Sequence, residues 1–206
     1  MRIAPCLIGL ALTPLALLAQ KAPQASPVAS SLAPLPEAQQ IAAAVLPLPA
    51  EYRDGARVLG YRSGSARLVT LREGTGPFTC LASDPAAPRF HVACYHQSLE
   101  PFMARGRSLR AEGVKGERVD TVRFAEVKSG KLAMPKHPAL LYSLTGPKDG
   151  YDPATNTAKG ARQLVVIYIP GATAASTGLS AKPAEGTPWI MFPGTPKAHV
   201  MFVPRM

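Results

Sequence analysis

His96 and Glu100 stand four residues apart, where the chain leaves a strand-like run and enters a helix-like one. An imidazole beside a carboxylate is a minimal arrangement for general acid–base chemistry. The carboxylate orients the ring and raises its basicity. The same two groups can also ligate a metal ion. His199 is a third candidate, in a strand-like run with Met201 and Val203 on its own face. A plainer reading competes with this one. A histidine at such a junction can cap the helix start, and a lone histidine on an apolar strand is usually a satisfied core residue. The expectation for His96 is structural. Catalysis by His96, Glu100 and His199, hydrolase-like and with or without a metal, is the alternative.

Cys80 and Cys94 lie in the same stretch, FTCLASDPAAPRFHVACYHQSLEPFM, with His91 between them. They could join His91 or His96 around a metal. In an exported chain a disulfide is the stronger expectation. The loop 149–156 offers Asp149, Asp152 and Asn156, but their spacing does not fit an EF-hand. His137, between Lys136 and Pro138, reads as an exposed loop residue. No G-x-S-x-G, P-loop, G-x-G-x-x-G or H-E-x-x-H pattern is present, and no motif calls for a cofactor.

The elements that must position these residues follow from local patterning. Residues 78–82 and 90–94 are strand-like and flank Ser83-Asp-Pro-Ala-Ala-Pro-Arg89, so a β-hairpin is expected. If Cys80 faces Cys94, one face carries Phe78, Cys80, Ala82, Phe90, Val92, Cys94 and His96 and points inward. His91 then points outward. Leu99, Phe102, Met103, Gly106 and Leu109 recur at helical spacing, which predicts a helix over 98–112. Ser98 is its expected N-cap and Gly113 its stop. Gly106 in the interior costs roughly 1 kcal/mol against alanine. A close approach to the sheet would account for it.

Arg2 and the apolar run over 3–19 match a signal peptide, with cleavage after Ala19. An uncleaved anchor is the alternative. Cys6 would be discarded with the segment. Residues 20–36 are rich in Pro, Ala and Ser and read as a flexible linker. A short helix is expected over 37–46. Residues 56–96 read as a four-strand antiparallel meander, with Arg53, Arg57, Arg62, Arg67 and Arg72 spread along it as a solvated or anion-facing side. Further on, a short helix is expected over 119–128. Strands follow at 139–144, 163–169, 189–192 and 198–203. The run at 163–169 is apolar enough to be buried on both faces.

The chain has 23 Lys and Arg against 13 Asp and Glu, a formal charge of +10. The expected partners are an anionic envelope component or a small ligand. No aromatic-interleaved basic tract is present and nucleic acid is not expected. No membrane span is expected once the signal is cleaved.

Two stretches, CYHQSLEPFMARGR at 94–107 and PWIMFPGTPKAH at 188–199, resemble segments of an uncharacterised exported bacterial protein family. The resemblance implies a bacterial envelope location, periplasmic or secreted, and brings no activity or catalytic residues. The expected architecture is one α+β domain over 37–206. It has a mostly antiparallel sheet, an N-terminal meander and hairpin, two or three packed helices and one disulfide. The expected role is non-catalytic binding.

Overall fold

A computed structural model describes Met1 and residues 33–204. Contacts divide the chain into residues 1–30 and 31–206, and the fold below is that of the second unit. The expected signal peptide at 1–19 and most of the expected linker lie outside the described residues.

The fold is built on strand β4, Phe90–His96, whose β-branched and aromatic residues suit a central position. It pairs antiparallel with β3, Phe78–Leu81, and with β5, Ala139–Gly146. In the hairpin Phe78 faces His96 and Cys80 faces Cys94, the register that the expected disulfide requires. The two sulfurs form a disulfide that is fully buried. The remaining strands are β1 (Arg57–Tyr61), β2 (Leu68–Arg72), β8 (Arg162–Tyr168), β9 (Trp189–Met191) and β10 (His199–Phe202). Together they form an eight-stranded sheet in the order β2-β1-β3-β4-β5-β8-β10-β9. The expected α+β class with a mostly antiparallel sheet is what is observed.

The expected four-strand meander is corrected at one pairing. Strands β1 and β2 form an antiparallel hairpin, but β3 runs parallel to β1 on its other side. The short segment after β2 therefore crosses the start of β1 instead of simply turning. Gly76 N–H donates to Gly55 O at 2.8 Å there. A Cβ on Gly74 would lie 2.3 Å from Arg57 N and 2.7 Å from Gly55 O. Glycines at 55, 74 and 76 are what lets one backbone pass over another.

Helices cover the sheet on both sides. Helix α1, Glu37–Ala44, sets Ala43 and Ala44 against Val58, Cys80, Cys94, Phe90 and Val92. Small residues bring it close enough for Gln40 to reach β1. The Gln40 amide donates to Tyr61 O at 2.9 Å and accepts from Tyr61 N–H at 2.8 Å. A four-residue helix, α2 (Ala50–Arg53), follows where only prolines marked an end. On the opposite side lie α3, Glu100–Ala111, and α4, Arg118–Lys128. Leu99 and Met103 pack there against Tyr95, Val166 and Tyr168. The second face of the β3–β4 hairpin is thus buried as well. Thr79 is 4% exposed and Tyr95 1%. His91 alone of that face is exposed.

Four smaller expectations change. The helix over 98–112 is a 3-10 turn at Gln97–Leu99 followed by α3. Its side-chain cap is His96, not Ser98. Gly106 approaches α4 and not the sheet: a Cβ there would lie 2.9 Å from an Arg123 guanidinium nitrogen. That guanidinium stacks over Phe102 at 3.8 Å and donates to Phe102 O. Strand β8 is buried only at Val166 and Tyr168, while Val165 and Ile167 are half-buried. Helix α1 packs over β1 and β4 and does not extend to β8.

Within the loop after β5, β6 (Tyr151–Asp152) and β7 (Thr157–Ala158) form a small separate hairpin. A last short helix, α5, spans Ala174–Thr177. Among the described residues no helix is long and apolar enough to cross a membrane.

Candidate functional site

His96 ends β4 and begins the turn into α3. Its Nδ1 accepts from the Ser98 backbone N–H at 3.2 Å and lies 2.8 Å from Ser98 Oγ. Its ring meets Phe78 edge-on, 5.9 Å between centroids. Accepting at Nδ1 places the proton of the neutral ring on Nε2. The lone pair that a general base would use is therefore spent on the cap. What remains is an N–H donor.

Glu100 opens α3 but turns away from His96. One carboxylate oxygen accepts from the Tyr95 hydroxyl, and the other accepts from Arg107 at 2.6 Å. Arg107 also donates to the Tyr95 hydroxyl at 2.7 Å, which closes a triangle. Tyr95 is almost fully buried, and its hydroxyl pKa is pushed well above the usual phenol value, chiefly by burial. A protonated phenol, a carboxylate and a guanidinium thus satisfy one another. His96 and Glu100 do share the lining of a cavity of about 490 Å³, together with Arg57, Ser98 and Thr79. They are neighbours without being a hydrogen-bonded pair.

His199 lies elsewhere. Strand alternation puts it on the α3 side of the sheet and His96 on the α1 side. Strands β5 and β8 stand between β4 and β10, which at about 4.8 Å per strand separates the two by about 14 Å of sheet. The His199 ring sits between Tyr168 and Phe192, with centroids 5.0 and 5.7 Å away. Its Nδ1 donates to Lys197 O at 2.6 Å. Burial holds its pKa below the usual histidine value, and the Lys197 ammonium acts in the same direction. The structure does not bring His96, Glu100 and His199 to one place, and each of the two histidines is held by backbone.

The metal alternative for the cysteines is answered by the disulfide, which consumes both sulfurs. Among the described residues no three His, Cys, Asp or Glu side chains are grouped to hold a metal ion. His137 is exposed, as expected.

A second cavity, of about 650 Å³, lies on the α3 side between the β1–β2 hairpin and the helix. It is lined by Arg67, Arg107 and Arg110, together with Tyr61, Leu68 and one carboxylate residue, Asp84. Arg107 is paired with Glu100. Among the described residues Arg110 donates only to the Gly106 carbonyl, at 3.1 Å. The Arg67 guanidinium has no hydrogen-bond or ion-pair partner among the described residues. Burial, with the Asp84 carboxylate adding to it, pushes the Tyr61 hydroxyl up to about 12. It therefore stays a neutral donor beside the arginines. In the sequence Arg67 belongs to a strand pair and Arg107 and Arg110 to a helix, far apart along the chain. The spacing of Arg107 and Arg110, one helical turn apart, was a usable signal. The placement of Arg67 against them depends on tertiary packing.

Comparison with known proteins gives no match to a family model, a curated protein or a solved structure.

Proposed function

We propose that this is an exported, non-catalytic protein that holds an anionic ligand, an envelope component or a small molecule, in the groove between α3 and the β1–β2 hairpin. One observation carries the reading. Three arginines from two separate elements line a single cavity, and only Arg107 is paired with a carboxylate among the described residues. A guanidinium offers a planar fork of donors that matches phosphate and carboxylate oxygens. The formal charge of +10 favours approach of such a ligand. The charged and apolar start of the chain and the buried disulfide support export to an oxidising compartment.

The test is sedimentation with phosphatidylglycerol vesicles and titration with short-chain polyphosphate, each at two salt concentrations. The native chain should bind one of them with an affinity that falls as salt rises. The double variant Arg67→Ala, Arg110→Ala should lose roughly 1 kcal/mol per arginine, about thirtyfold for the pair. Arg107 is left in place because its removal would strand Glu100. Unchanged binding by a folded double variant would sink the groove. Intact mass adds an independent check on export, since the protein from an envelope fraction should lack about its first 19 residues.

A further inference from the structure

On the other side of the sheet, a cavity of about 370 Å³ opens between the β3–β4 loop and the β5–β6 loop. Its lining differs from that of the arginine groove. Ala82, Leu35 and Pro85 supply aliphatic wall. Phe90 and Tyr151 stack face to face, with centroids 5.6 Å apart and planes within 2° of parallel. Phe90 is 3% exposed, so this wall is fixed by the core.

The charged groups at the rim are not equally available. Lys148 bridges the two loops, its ammonium donating to Asp84 O at 3.2 Å and to Pro85 O at 2.7 Å. Asp84 accepts from Ala86 N–H at 2.8 Å. Asp149 has no hydrogen-bond or ion-pair partner among the described residues. The positive charge is thus spent on the loop backbone, and a carboxylate remains uncommitted. This is the reverse of what a chain of charge +10 would place at a random spot.

We propose that this cavity is a second binding site, for a small molecule with a flat apolar body and a cationic group. The apolar body lies against Tyr151, which Phe90 backs from the core, and the cation faces Asp149. Volume and lining agree with this class. Pockets of about 300–1,000 Å³ with apolar walls and a few polar groups are typical of small-molecule sites. Lys148 holds the two loops at a fixed separation, so the cavity is formed before ligand arrives and little ordering cost is added on binding.

The experiment titrates the whole protein with three indoles of similar size, followed by chemical-shift changes in the 83–89 and 147–151 segments. Tryptamine is cationic, 3-ethylindole neutral and indole-3-propionate anionic. Tryptamine should bind tightest, and Asp149→Asn should weaken it by about fivefold, as expected for one exposed ion pair, with no effect on 3-ethylindole. Asp149 is exposed, so the variant should fold normally. Lys148→Met, which frees the two loops, should weaken all three probes. Equal binding of the three indoles, indifference of tryptamine to Asp149→Asn, or no shift with any probe at millimolar concentration would each overturn the proposal.

Discussion

The two sides of the sheet solve the same packing problem with different side chains. Beneath α1, alanines, a disulfide and two aromatic residues make a close apolar contact. A single buried amide, Gln40, ties the helix to Tyr61. Beneath α3 and α4, long polar side chains reach inward. Arg123 lies over Phe102 and pairs with Asp120, which in turn accepts from Lys197 at 2.8 Å. Tyr95, Glu100 and Arg107 close their own triangle. The first side gains from burial that is indifferent to charge. The second gains from charged hydrogen bonds that must all be satisfied together. This explains why the arginine groove is on the second side. Guanidinium groups are already held there by the architecture, and the ones left over face solvent.

Breaking the staple on the α1 side should give the largest effect. The Cys80–Cys94 bridge spans a sequence separation of 14 and, in the chain-entropy model, contributes about 3 kcal/mol. Cys94→Ala should lower Tm by about 2–4 °C per kcal/mol at this chain length. Two reactive thiols in the native protein would contradict the bridge.

An intermediate effect is expected at His96. Removing a side-chain cap costs about 1 kcal/mol. His96→Ala should therefore lower stability by about that much and leave anion binding in the arginine groove unchanged. Loss of binding or of some turnover with Tm intact would instead make His96 a functional group and revive the acid–base reading.

The smallest effect is a pH dependence on the α3 side. Burial keeps His199 neutral in the fold, with its pKa below the ordinary value of 6.5. The unfolded chain takes up a proton first as pH falls, so stability is whole above about 6.5 and declines below it. His91 has a lowered pKa too and acts in the same direction. Scans at about pH 7.5 and about pH 5.5 should show a drop in Tm that is reduced, not abolished, in His199→Gln. An identical drop in the variant would show that His199 does not carry it.

The parts legible in sequence were those set by local periodicity. The Cys80–Cys94 register, the exposed side of His91 and the run of α3 all follow from alternation or helical spacing around known anchor residues. The parallel entry of β3 beside β1 was not legible. Glu73-Gly-Thr-Gly-Pro77 has a turn composition whether the chain reverses or crosses a neighbour, and only the contact with Gly55 distinguishes the two. Glu100 could not be assigned from its spacing to His96, because a helix start can rotate a carboxylate toward either side. Its partner Arg107 lies two turns along the same helix, a spacing that places the two on one helix face. The reason for Gly106 was equally hidden, since it resides in a guanidinium arriving from another helix.

Asp84, in the loop between β3 and β4, lines both the arginine groove and the apolar cavity on the other side of the sheet. One short loop is therefore wall to two compartments of opposite character. Any ligand whose contact with one compartment depends on where that loop rests also changes the free energy of filling the other. Linkage makes the effect reciprocal, with the same factor in each direction.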